Sequence, residues 1–302
     1  MKISIHTTIT NPERWQYPYI EALKSFCDVA DEVIIVDGGS DDGSIENIKA
    51  TFAAEFDSGK MQLITLPWPW EYTQSEFPKH LNAGLEACTG DWAIKCDIDY
   101  IFHENQINDL KVRLRAFNEE KWLCASMDKF SIISPARGFR KAKLPFIIHK
   151  SITGSVVKYG IQSDIDPALD DWCYPIIALQ GKFNDEGVPI GTSLPVGAVK
   201  PIGIDVWNYD YFFRTKELSK AFFQRTSRAW RVSVSDTWGK DDEDAWKTFE
   251  EQAKGRWLKQ FVPLELSSHP KYIRDRVAAL TPEQFGYNNW GLYEQGNKTQ
   301  NT

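Results

Sequence analysis

At 302 residues, 42% hydrophobic and 25% charged, the chain is composed like a soluble globular protein with room for a large core, which excludes a disordered or fibrous class. A net charge of −7 argues against a general nucleic-acid binder. No run of about 18 apolar residues offers a membrane span, and Met-Lys-Ile-Ser-Ile-His enters a strand with no leader-like apolar region, so a cytoplasmic protein is expected.

Residues 2–7 read as a first buried strand, closed by a loop at Asn11-Pro12. An amphipathic helix follows over about 15–28, with Ile20, Leu23, Phe26 and Cys27 on its apolar face. Val33-Ile-Ile-Val36 is a continuous apolar run, as expected of a central parallel strand, and it ends in Asp37-Gly-Gly-Ser-Asp-Asp-Gly-Ser44. A third strand at Met61–Leu66 leads to the extended Pro67-Trp-Pro-Trp70 segment, a helix over Phe77–Cys88 and a fourth strand over Asp91–Cys96. This alternation predicts an α/β fold with a mostly parallel sheet flanked by helices.

Beyond a helix over 105–118 the pattern loosens. Trp122–Phe130 and Leu144–His149 read as strands, 151–205 as a loop-rich cover, and Ile202–Phe213 as a late strand. Thr215–Arg231 and Asp241–Phe261 read as helices, so the expected division is a catalytic domain over 1–213 and a helical C-terminal extension over 214–302, packed on the same domain. Two further features are a basic stretch (Arg137, Arg140, Lys141, Lys143, His149, Lys150, Lys158) and twelve tryptophans. The basic stretch is either a solvated face or a phosphate-holding surface. Tryptophans fill cores but also stack on sugars or bases.

Ligands of an open parallel sheet bind outside the carboxyl ends of its strands. There the sequence places Thr7 and Thr8 after strand one, Asp37 after strand two, and Asp97 and Asp99 after strand four. Read as strand residues two apart, Asp97 and Asp99 share one side, and paired carboxylates call for a hard cation, Mg²⁺ or Mn²⁺. Asp37 has a second explanation, anchoring the Gly-Gly turn, and Asp41 and Asp42 fit turn or helix-cap positions.

Val-Asp37-Gly-Gly-Ser-Asp-Asp-Gly-Ser resembles the Val-Asp-Gly-Ser-Ser-Asp-Asp-Gly-Ser element of the family-two glycosyltransferases of GT-A, Rossmann-like fold. Lys79-His-Leu-Asn82-Ala-Gly84 through Gly90-Asp91-Trp resembles the approach to that family's DxD motif, here Asp97-Ile-Asp99. The resemblance covers residues 1–104 and implies a nucleotide-diphosphate sugar donor of UDP or GDP type. Carried over, Thr7 or Thr8 and Asp37 hold the base, Lys79 and Asn82 lie near the ribose or diphosphate, Asp97 lies near the ribose or metal, and Asp99 binds the metal. The implied reaction is sugar transfer to an acceptor hydroxyl with inversion, the acceptor being a glycan or lipid-linked saccharide. A modified nucleic-acid base is the less usual alternative, and a non-catalytic sugar- or nucleotide-binding protein on the same fold is another.

Two departures stand out. No unmistakable general base is present; Asp170 or Asp171, in the acidic segment beginning at Asp164, is the first choice, with Glu243, Asp244 and Asp128 as rivals. Where relatives present a His-Tyr pair, this chain has Asn208-Tyr209, which leaves the third metal ligand open, with His269 as a substitute.

Overall fold

The computed structural model describes residues 1–68, 76–153, 156–162, 174–185, 187–194, 196–233, 238–256 and 261–292. Its first half follows the expected alternation: β1 (Ile3–Ile9), α1 (Tyr19–Val29), β2 (Glu32–Asp37), α2 (Ser44–Thr51), α3 (Ala53–Asp57), β3 (Met61–Thr65), α4 (Glu76–Ala87) and β4 (Trp92–Lys95). The four strands lie in the order β3-β2-β1-β4, all parallel, so their carboxyl ends share one edge. Both faces of β2 are covered, which is why its Val33–Val36 run is apolar throughout. Val33 and Ile35 enter the core with Leu23 and Phe26 of α1, while Ile34 enters the second cluster with Leu81 and Leu85 of α4.

The second half comprises β5 (Tyr100–Phe102), α5 (Ile107–Glu119), β6 (Cys124–Ser134), β7 (Arg137–His149), α6 (Lys150–Thr153), β8 (Val157–Gln162), β9 (Tyr174–Phe183), β10 (Pro189–Ser193) and β11 (Val199–Asn208). The main sheet extends as β4-β7-β6-β11-β5, with β4–β7, β7–β6 and β11–β5 antiparallel and β6–β11 parallel. Trp122–Phe130 and Leu144–His149 thus belong to one long hairpin. The late strand ends at Asn208, five residues short of Phe213, because the chain turns at Tyr209–Phe213 with Tyr211 at φ 62.

The loop-rich reading of 151–205 is corrected. Its described residues carry three strands that close into a small barrel, β10-β8-β9. Glycines permit this closure: a Cβ on Gly160 would meet Pro189 O at 2.4 Å, and one on Gly191 would meet Ile177 O at 2.3 Å.

The C-terminal region contains α7 (Lys216–Ser233), α8 (Asp242–Arg256), β12 (Val262–Pro263), α9 (Arg274–Ala278) and α10 (Phe285–Asn288). Helices α7 and α8 share an aromatic cluster around Phe223 and Phe249, with Trp238, Trp246 and Trp290 packed against it. Later residues bind back to the sheet domain. Arg274 pairs with Glu104 at 2.7 Å, Arg276 with Glu21 at 3.2 Å, and Asn289 Nδ2 donates to Ile133 O at 2.6 Å. Among the described residues no helix is long and apolar enough to cross a membrane.

Candidate active site

Three adjacent parallel strands deliver the first part of the site: β1 brings Thr7 and Thr8, β2 ends in Asp37, and β4 leads into Asp97. Thr7 is buried, and its hydroxyl has no hydrogen-bond partner among the described residues. Thr8 is half-buried.

The loops after β1 and β2 are fastened to each other. Asn11 N donates to Ser40 Oγ and Asp41 N to Asn11 Oδ1, both at 2.8 Å, while Arg14 N donates to Asp42 Oδ2 at 2.8 Å. Asp42 also accepts from Ser44 N at 3.1 Å just before α2, a local turn of the kind the sequence allows; the N-cap itself is Gly43. Asp37 is buried and accepts from Ser40 N at 3.0 Å and Ser40 Oγ at 2.6 Å, so it does anchor the turn. The two glycines are required there. A Cβ on Gly38 would lie 2.3 Å from Thr10 Oγ1, and Gly39 has φ +89.

Helix α4 contributes less than expected. Lys79 pairs with Glu76 at 2.7 Å. Asn82 is buried, with Nδ2 donating to Tyr159 O at 2.7 Å and Oδ1 accepting from Tyr159 N at 2.9 Å. Its amide therefore braces α4 against β8, a pairing invisible at a sequence distance of 77 residues.

The aspartate pair requires one correction. Strand β4 stops at Lys95, and Asp97–Asp99 form a turn closed by Tyr100 N donating to Asp97 O at 3.0 Å. The period-two rule therefore does not place these side chains; the turn does. Asp97 is half-buried and pairs with the buried Lys95 at 2.8 Å. That ammonium lies 4.0 Å from the centre of the Phe146 ring. Burial works against ionisation of Asp97, but the charge and hydrogen bond of Lys95, with Lys129 and Tyr100, together outweigh it and hold the carboxyl below its ordinary range.

Asp99 is buried and has no such ion pair among the described residues. Asn208 Nδ2 donates to its Oδ2 at 3.0 Å, and Tyr209 N donates to its backbone carbonyl at 3.1 Å. Burial, followed by the charges of Asp210 and Asp97, pushes the Asp99 carboxyl up to about 7. Lys129 and Arg214 offset this in part. Arg214 is itself buried: Nε donates to Trp15 O at 2.8 Å, a terminal nitrogen lies 3.4 Å from Asp210, and the rings of Tyr17 and Phe222 stand 4.4 and 4.0 Å away.

Among the described residues no group of three or more His, Cys, Asp and Glu side chains is arranged to hold a metal. The Asp97–Asp99 turn nevertheless suits a hard cation. Its donors are all oxygen, two or three negative charges converge there, and one of them ionises reluctantly because it is buried beside other carboxylates. His269 is not the missing ligand. It is buried, with Nδ1 accepting from the Tyr209 hydroxyl at 2.8 Å and Nε2 donating to Pro135 O at 2.9 Å.

Asp170 and Asp171 lie outside the described residues, as does Asp164. Of their rivals, Asp244 sits in the first turn of α8 with its backbone N bonded to Asp241 Oδ1 at 2.8 Å, and Asp128 faces Lys143 across the β6–β7 ladder. Three members of the basic stretch are committed to structure. Arg140 makes a two-bond pair with Asp205 at 3.0 and 2.7 Å, Lys158 pairs with Glu86 at 2.5 Å, and Lys150 donates to the Leu85 carbonyl at the end of α4 at 2.7 Å. Lys95, Asp210 and Arg214 are the site residues that sequence reasoning missed. Lys95 had a signal, a lone cation inside the apolar strand Trp-Ala-Ile-Lys-Cys.

Residues 13–142 match the family model described as glycosyl transferase family 2. That segment is similar to the family whose motifs the sequence resembles. No curated protein matches the chain in sequence. Among solved structures, S. aureus TarS 1–349 in complex with UDP-GlcNAc is 12% identical, with 99% of this chain and 92% of that one covered and a TM-score of 0.42. The mannosyltransferase PcManGT from Pyrobaculum calidifontis, in complex with GDP-Man and Mn²⁺, is 11% identical, with 100% and 81% covered and a TM-score of 0.44.

Proposed function

We propose that this chain transfers a glycosyl group from a nucleotide-diphosphate sugar to an acceptor hydroxyl, assisted by Mg²⁺ or Mn²⁺ held through Asp97 and Asp99. The observation that carries the reading is the meeting, on one sheet edge within the family-matching segment, of the fastened β1 and β2 loops with an under-compensated acidic turn. The half-buried Thr8 and the loop pinned by Asp37 are the surface offered to the nucleoside, with the buried Thr7 behind them. Lys95 holds one oxygen of Asp97, and Asn208 holds one oxygen of Asp99, which fixes both carboxylates at the turn.

In the reaction, the bond between the anomeric carbon and the diphosphate oxygen breaks and its electron pair stays on the diphosphate. The acceptor oxygen bonds to that carbon and gives its proton to a general base, for which Asp170 or Asp171 is proposed, with inversion as the outcome. When bound, the cation supplies Lewis-acid stabilisation of the leaving diphosphate. Lys129, half-buried on β6 with its ammonium 5.3 Å from the centre of the Tyr100 ring, adds positive charge on the same side. The acceptor proposed is a saccharide, free or lipid-linked. Residues 214–302 are read as an extension packed on the catalytic domain.

The test is thermal unfolding against a panel of nucleoside diphosphates and nucleotide sugars, with and without Mn²⁺. A ligand that binds only the native state raises the melting temperature. A cation-dependent rise with one nucleotide, lost in Asp99→Ala, supports the reading and names the base. No rise with any nucleotide refutes it.

A further inference from the structure

Lys95 is a costly residue for its place. It closes β4 beside His6 of β1, on the face where α4 packs so near that a Cβ on Gly84 would meet His6 Nδ1 at 2.8 Å. Its side chain is 5% exposed, and its ammonium stands 4.0 Å from the centre of the Phe146 ring and 5.6 Å from that of Phe77. A buried ammonium loses its hydration, and an apolar side chain here would continue the Trp92-Ala-Ile run without that loss. His6 offers no counter-charge. Burial first, then the charges of Lys95 and Lys150, push its imidazole down to about 3, so the ring is neutral. The ammonium instead donates to Asp97 Oδ1 at 2.8 Å. The pair is lopsided, for the Asp97 side chain is 34% exposed. The cation lies beneath, against rings of α4 and β7, and the carboxylate lies above it, where a ligand can reach. A buried ion pair adds little net stability over apolar packing, so the fold by itself does not require this one.

Resting on the donor-site reading above, we infer that Lys95 is a positioning residue of that site: it acts through Asp97, fixing a reachable carboxylate from below, and donor affinity depends on it although the lysine is itself out of the donor's reach. Without Lys95, ordering the Asp97 side chain falls to the incoming ligand, and the loss appears in affinity rather than in stability.

The experiment is titration calorimetry of the full chain with UDP and with GDP in the presence of Mn²⁺, carried to millimolar nucleotide. It compares the parent, Lys95→Met, Asp97→Asn and the double variant, with melting temperatures taken beside it. The expected result is affinity weakened about 10- to 100-fold in Lys95→Met, at a melting temperature that holds or rises. Adding Lys95→Met to Asp97→Asn should weaken binding no further. That comparison separates positioning from general support of the fold, which would weaken both backgrounds alike. Lys95→Met that binds as the parent does, or that weakens Asp97→Asn by the same factor, overturns the inference and leaves the donor site standing. A parent that binds neither nucleotide defeats the donor-site reading and this inference with it. Should Lys95→Met fail to fold, Lys95→Gln takes its place in the same cycle. Should Asp97→Asn bind too weakly to read, the lysine variant decides: lost affinity at an unchanged melting temperature supports the inference, and parallel losses of both overturn it.

Discussion

The turns after β2 and β4 are both rich in aspartate and both lie on the carboxyl edge of the sheet, yet they differ in how their charges are satisfied. Asp37 is turned inward, with Ser40 N and Oγ bonded to it at 3.0 and 2.6 Å. Asp99 is equally buried but has one amide donor and two carboxylate neighbours that oppose its charge. The first turn is complete without a ligand and can serve as a rigid wall. The second carries an unbalanced charge that a cation and its diphosphate would complete. Identical residue types thus build a scaffold in one place and the proposed cation-binding turn in the other, and the hydrogen-bond partners make the difference.

The largest effect should come from Asp99→Asn. Sugar transfer from the cognate nucleotide donor, measured as product formed per unit time, should fall about 10³-fold, the scale of several kcal/mol of leaving-group stabilisation. The melting temperature should hold or rise, because a reluctant buried charge is removed. Equal losses of stability and activity would erase the contrast between the two turns.

Glu32, at the opposite end of β2, extends the contrast. Burial disfavours its charge, but hydrogen bonds from Lys2, Ser4 and Thr89 prevail and hold the carboxyl down at about 2. Its folded value lies below its unfolded one, so its contribution is full above about pH 4.5 and disappears as the pH falls toward 2. Unfolding in denaturant across that window should show a loss on the order of 3 kcal/mol that Glu32→Gln does not show.

Asp37→Ala should cost about 1–3 kcal/mol of stability by leaving Ser40 N unpaired, and should weaken nucleotide binding through the loosened loop. Chemical denaturation with a parallel nucleotide titration checks both. Arg140→Ala gives the smallest effect. Its pair with Asp205 is largely exposed on the arginine side, so stability should change by less than about 1 kcal/mol and the donor KM should stay unchanged. A raised donor KM would return the basic stretch to the site.

What the sequence made legible follows from range. The βα alternation, the Gly-Gly turn and the aspartate pair are written in neighbouring residues, so their order along the chain was readable. Features that depend on distant partners were not. The closed barrel β10-β8-β9 is assembled from short segments rich in Gly and Pro that look like loop. Asn82 carries a motif position, yet its amide is consumed by Tyr159, and Arg214 finds Trp15 199 residues away. Asp97 and Asp99 were placed at the correct edge by a strand rule that the turn does not obey.

The central claim is that the Asp97–Asp99 turn holds a divalent cation together with the donor diphosphate. Anomalous diffraction at the manganese edge, on crystals grown with Mn²⁺ and the nucleotide identified by thermal unfolding, tests it most directly. The account predicts a peak about 2.0–2.3 Å from an Asp99 carboxylate oxygen and in contact with the diphosphate. Nucleotide bound at this edge with no peak beside Asp99, or a peak on other residues, would contradict it.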